Sequence, residues 1–156
     1  SRGLGDVYKR QIWNDQTVDA ENRISWYEAR QLMGYPVLVS VENGVVTGYA
    51  SFGDWRNFDG FRHTVEHSVY VHPDHQGKGL GRALLSRLID EARACGKHVM
   101  VAGIESQNEA SLHLHSTLGF KLTAQMPQVG TKFGRWLDLT FMQLQLDDRS
   151  EPDVRE

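Results

Sequence analysis

The chain has 156 residues and a mass of 17.7 kDa, with 40% apolar and 24% charged residues, 15 glycines and 4 prolines. That is a globular composition of single-domain size, and it excludes collagen-like, mucin-like and disordered classes. The net charge of −3 sits in the last ten residues, which hold five acids and two arginines; residues 1–146 are neutral and offer no basic excess for nucleic acid.

No window approaches the ~18 apolar residues of a membrane span, and no cleavable apolar leader opens the chain. The reading is a soluble, cytoplasmic protein without a membrane partner. One cysteine, Cys95, has no internal disulfide partner, and its place late in an apolar-periodic helix predicts a packing residue rather than a nucleophile.

In chain order, Asp19 to Met33 lacks glycine and proline and predicts a helix capped at Asp19 and stopped before Gly34 and Pro36. Two β-rich runs follow, Val37 to Val41 and Val45 to Phe52, joined by Glu42-Asn43-Gly44, whose Asn-Gly pair predicts a tight hairpin. Thr64 to Val71 is a strand that Pro73 ends, and the glycine-rich Gln76 to Arg82 comes next. Leu80, Leu84, Leu85, Leu88, Ile89 and Ala92 then repeat at the helical period, with Gly96 just past the end. Val99 to Ile104 is nearly all apolar, as a parallel strand covered on both faces is, so residues 64–104 read as a βαβ crossover. Ser106 and Glu109 have capping-box spacing for a helix ending before Gly119. Phe120 to Met126 and Trp136 to Leu146 supply two closing strands. The fold class is α/β with a mixed sheet, in one domain with no internal repeat or linker.

Three glycines before a helix aim backbone N–H groups and the helix dipole at an anion. The dinucleotide fingerprint fails because position 82 is Arg82, and the P-loop fails because Gly79 follows Gly77-Lys78. What remains is Gln76-x-x-Gly79-x-Gly81 between a strand and an amphipathic helix, for which a plain turn is the bland alternative. Seven histidines raise a metal reading, but His63 and His67 stand about 13 Å apart along a strand, and His113 and His115 do not face one another on a helix. No metal site is expected. No G-x-S-x-G elbow supports a serine hydrolase.

With this loop the sequence resembles the GCN5-related N-acetyltransferases (GNAT), whose pyrophosphate loop has the form Q/R-x-x-G-x-G/A. The resemblance implies that Val69, Tyr70 and Val71 offer backbone groups to pantetheine, while Gln76, Gly77, Lys78, Gly79, Leu80, Gly81 and Arg82 hold the pyrophosphate of acetyl-CoA, the co-substrate. The family's second block appears as Asn108-x-x-Ser111-x-x-Leu114-His115-x-x-x-Gly119-Phe120, which implies cofactor contacts for Asn108 and Ser111. A helix-start role is the alternative for Asn108. His115 replaces the tyrosine that protonates the departing thiolate in many members; the role passes to His115 or to water.

More narrowly, the chain resembles the branch that acetylates phosphinothricin, methionine sulfoximine and methionine sulfone. The likeness rests on Gly53-Asp54-Trp55-Arg56, Phe61-Arg62, the 65–71 strand, the loop, and Gly130 to Trp136. It implies that Arg56 and Phe58 belong to a substrate-holding loop and that Glu66, His67 and Ser68 line the acceptor side. An ammonium has no lone pair, so the reaction needs a base. Glu66 is the expected base, directly or through water; pairing with Arg56 or Arg62 is its alternative role. His67 falls on the opposite strand face unless a bulge intervenes, which makes it a substrate-binding residue or second base. A backbone amide near Val69 or Tyr70 would serve the oxyanion.

The resemblance spans residues 12–146. Family members begin with a strand and helix before the segment matching Ile12-Trp13-Asn14, so residues 1–11 are expected to be foreign or misread and the domain truncated at its N-terminus. Residues 147–156 read as an acidic, disordered tail. The expected activity is acetyl transfer from acetyl-CoA to the α-amine of a small amino-acid analogue, without an acyl-enzyme. Alternatives are a protein N-terminus or polyamine as acceptor, or a CoA-binding module without turnover. Phe133 and Trp136 suit the homodimer that the resemblance implies, or core packing.

Overall fold

A computed structural model describes residues 27–153. Residues 27–32 are helical (α1); the expected cap at Asp19 and everything read for residues 1–14 lie outside the described residues. Strands β1 (Val37–Glu42) and β2 (Val45–Asp54) pair antiparallel. Between them Asn43 and Gly44 have φ of 52° and 76°, the two left-handed residues that a two-residue hairpin turn demands. β3 (Thr64–Val71) continues the antiparallel sheet in unbroken register, from Asp54 opposite Val65 to Gly48 opposite Val71.

After the glycine loop, α2 (Leu80–Ala94) carries the chain across to β4 (Val99–Glu105), which lies parallel to β3: the expected crossover. Helix α3 (Glu109–Thr117) and strands β5 (Lys121–Lys132) and β6 (Arg135–Gln145) complete a six-stranded sheet in the order β1-β2-β3-β4-β6-β5. The apolar stripe of α2, Leu84, Leu85, Leu88, Ile89 and Ala92, is buried with Ala50, Phe52, Val65, Met100 and Ala102 from the central strands. Each such leucine contributes roughly 1.5–3 kcal/mol by leaving water, so the crossover helix fixes the relation of β3 to β4. Those strands pair only from Thr64 opposite Val99 to Glu66 opposite Val101 and then part. No helix among the described residues is long and apolar enough to cross a membrane.

Three local expectations are corrected. The α3 cap is Asn108, whose Oδ1 accepts from the Ser111 N–H at 3.1 Å; Ser106 spends its hydroxyl on Thr140 Oγ1 at 2.7 Å instead of opening a capping box. β5 does not stop at Met126 but passes an irregularity between Met126 and Gly130, where the Gln128 N–H bonds Asp138, and runs on to a second hairpin turn at Phe133-Gly134. Cys95 is exposed at the C-cap of α2, three residues past Ala92, the last of the buried stripe, and does not pack. The acidic tail has no regular structure through Asp153, yet it is tied down. Arg149 donates to the Gly96 carbonyl at 2.8 Å, Asp147 pairs with His98, and Arg62 donates to the Asp153 carbonyl at 2.9 Å.

Candidate active site

Two connected cavities lie along the parting of β3 and β4. The outer one, about 570 Å³, is a groove between the end of β3, the glycine loop and α3. Val69, Tyr70, Val71, Gln76, Gly77, Gly79, Leu80, Gly81, Arg82, Asn108 and Ser111 all line it. Gly77 and Gly79 have φ of 81° and 79°, and a Cβ at either would meet nothing within 4 Å. Backbone conformation, with open space beside it, is what calls for glycine there. Gln76 is bonded back to the Val71 carbonyl at 3.3 Å, and Arg82 reaches Thr117 Oγ1 at 2.8 Å. Lys78, expected with this group, is not in the groove wall; its Nζ lies 3.4 Å from Glu42 Oε2 and 3.2 Å from His75 Nδ1.

The inner cavity, about 180 Å³, is the space between the parted strands. Its wall comprises His67, Ser68 and Val69 of β3, Ala102 to Glu105 of β4, and Asn108, Ser111 and His115 around α3. Val69, Asn108 and Ser111 belong to both cavities. The unbroken β2–β3 register leaves no bulge, so His67 shares the helix-packed face with Val65 and Val69, as strand alternation requires. There it meets His115, Nε2 to Nε2, at 3.0 Å, with Phe120 against both rings. His115 Nδ1 lies 2.7 Å from the Ser111 carbonyl, and His67 Nδ1 lies 3.3 Å from the Val101 carbonyl. Burial, then the neighbouring His115, push His67 down to about 3, and burial also lowers His115. Both rings are neutral at ordinary pH.

Glu66, half-buried at the last paired position of β3, points to the other face. Burial raises its pKa and the Arg56 charge opposes the rise. Arg56 is exposed, with its guanidinium 4.7 Å from the Trp55 ring centre. It shares a third cavity, about 420 Å³, with Phe58, Arg62 and Lys97. The five residues expected on the acceptor side are therefore split: Arg56 and Phe58 line one cavity, His67 and Ser68 another, and Glu66 lines neither. Among the described residues, no three His, Cys, Asp or Glu side chains gather to hold a metal ion.

A family profile described as Acetyltransferase (GNAT) family matches residues 6–120. The chain belongs to the GNAT acetyltransferases. This acetyltransferase is 86% identical over 148 residues to the L-amino acid N-acyltransferase MnaT of Escherichia coli, covering 95% of the chain and 86% of that protein. It is 83% identical over 143 residues to the L-methionine sulfoximine/L-methionine sulfone acetyltransferase of Salmonella typhimurium, covering 92% and 84%. A Salmonella typhimurium acetyltransferase structure with acetyl-CoA superposes at a TM-score of 0.93, with 75% identity over 97% of this chain and 91% of that one. A phosphinothricin acetyltransferase from Sinorhizobium meliloti, also with acetyl-CoA, gives 0.91 at 33% identity over 99% and 88%.

The acetyltransferase's groove has open glycines in its wall, and a smaller cavity shares Val69, Asn108 and Ser111 with it. Sequence reasoning missed the β4 wall, Ala102 to Glu105, and the contact between His67 and His115. Gly103 within an apolar strand is the one local hint of the former; the latter joins residues 48 positions apart.

Proposed function

We propose that this acetyltransferase moves the acetyl group of acetyl-CoA directly to the α-amine of a small amino acid of the methionine sulfoximine, methionine sulfone or phosphinothricin type. The observation that carries the reading is Glu66 at the last paired position of β3, next in the strand to His67 and Ser68 of the acyl-sized cavity and near enough to Arg56 to feel its charge. The names of close relatives point to the same acceptors. Arg56, with a planar fork of donors, pairs with the acceptor's carboxylate, and Phe58 covers its side chain. Glu66 takes the ammonium proton, directly or through water, and its burial brings the carboxyl closer to the neutral range where a base works best. The amine nitrogen then bonds to the thioester carbon and gives up its second proton to water, the C–S bond breaks, and its electron pair leaves on sulfur.

We further propose a cytoplasmic enzyme that forms a homodimer through the β5–β6 hairpin; the exposure of Phe133 and Trp136 supports that contact. The test of function is a thiol assay with mass spectrometry, using acetyl-CoA and L-methionine sulfoximine. Glu66→Gln is expected to lower kcat about 10²- to 10⁴-fold while acetyl-CoA binding persists. Acetylation of a peptide N-terminus but not of the free amino acid overturns the acceptor; binding without any product overturns turnover itself.

A further inference from the structure

When the C–S bond breaks, negative charge appears on sulfur, and a fixed hydrogen-bond donor there lowers the barrier. His115 stands at the position expected to serve it and lines the inner cavity, but it is buried, at 2% exposure, and both its ring nitrogens are already engaged. Its Nδ1 lies 2.7 Å from the Ser111 carbonyl, which only accepts, so Nδ1 carries the ring proton. Its Nε2 then accepts from His67 Nε2 at 3.0 Å. The far end of this chain, His67 Nδ1, again faces a carbonyl, that of Val101 at 3.3 Å. Two neutral rings bring two protons to three contacts, and no ring nitrogen of His115 is left for the sulfur.

Ser111 is placed differently. It lines both cavities, at the junction of groove and acyl-sized space. Its backbone N–H is held by Asn108 Oδ1 at 3.1 Å, which fixes the first turn of α3. Its Oγ lies 3.4 Å from His115 Nδ1, one turn further on. That N–H is shared between the Ser111 carbonyl and the hydroxyl oxygen, so the serine O–H proton is turned away from the ring.

We propose that the Ser111 hydroxyl is the donor to the thioester sulfur and the departing thiolate, and that His115 and His67 are positioning residues that orient it. The inference rests on acetyl transfer from acetyl-CoA, as argued above. In the step, the N–C bond forms, the C–S bond breaks and the electron pair stays on sulfur. The serine lends a hydrogen bond without giving up its proton. Glu66 holds the first amine proton; the second leaves nitrogen as the amide forms and passes through water in the open groove to the thiolate. Asn108 also lies in both cavities and is the competing donor, through its side-chain amide.

The direct test is the acidity of the CoA thiol bound to the enzyme, titrated by thiolate ultraviolet absorbance, which does not depend on turnover. Ser111→Ala should weaken that ionisation about 10- to 100-fold, the range for a hydrogen bond to a charged group. kcat should fall by a similar factor, with KM for acetyl-CoA little changed. Ser111→Thr, which keeps the hydroxyl, should retain most of both. His115→Asn should retain more thiol acidity than His115→Ala, because the amide returns an N–H to the serine. A Ser111→Ala enzyme whose bound thiol titrates as in wild type overturns the proposal. So does a shift produced by Asn108→Ser, which keeps the cap, without one from Ser111→Ala. A wild type that binds CoA but acetylates no amine overturns the proposed function instead, and the thiol titration still decides Ser111.

Discussion

Burial of two imidazoles against Phe120 makes proton uptake costly, and this has a consequence for stability as well as for chemistry. His67 is held at about 3 by burial and then by His115, and His115 is lowered by burial. Both folded values lie below the 6.5 of an exposed ring, so the folded state disfavours the extra proton. The stabilisation is complete above pH about 6.5 and is lost as pH falls toward about 3. The urea midpoint of the wild type should therefore drop between pH 7.5 and pH 5. In His67→Gln, which keeps a polar side chain but cannot take the proton, the drop should be smaller. Equal drops in the two proteins would show that the pair does not titrate on unfolding. None of this was legible in the sequence, where His67 read as a substrate contact or second base and His115, or water, as the acid. Each histidine is local information, but their contact depends on how α3 lies against β3.

The elements show where local chemistry suffices and where it does not. The Asn43-Gly44 turn and α2 were readable because two left-handed residues and a 3.6-residue stripe are signals of the segment itself. The start of α3 was misread, because Ser106 and Glu109 satisfy the spacing of a capping box while tertiary contact draws Ser106 to Thr140. Asn108, counted as a CoA contact with capping as its alternative, does cap. Asn108→Ala should cost about 1 kcal/mol of unfolding free energy in denaturant titration, Asn108→Ser should recover most of it, and Ser106→Ala should leave helix α3 capped. A neutral Asn108→Ala would mean that the first turn is held by packing alone. The second hairpin was missed because Phe133, at φ 50°, occupies a left-handed turn position for which phenylalanine carries no propensity signal.

At the scale of the whole molecule, the order strand, glycine loop, helix, strand disclosed the crossover and the groove beside its loop, because those residues are contiguous in the chain. The residues expected on the acceptor side were read only as a set; that Arg56 and Phe58 line one cavity and His67 and Ser68 another is a tertiary fact that no single segment encodes. The same holds for assembly. Exposed apolar residues scattered singly are normal, but a cluster on one element marks a contact surface. On the β5–β6 hairpin Leu122, Met126, Val129, Phe133 and Trp136 are all exposed, the last two by about two thirds, so core packing does not account for them. If this hairpin is the dimer contact, the wild type should sediment at twice the 17.7 kDa chain mass. Trp136→Glu, which buries a charge in that contact, should sediment as a single chain with an unchanged far-ultraviolet spectrum. A wild type that sediments as a single chain removes the hairpin as an interface between copies.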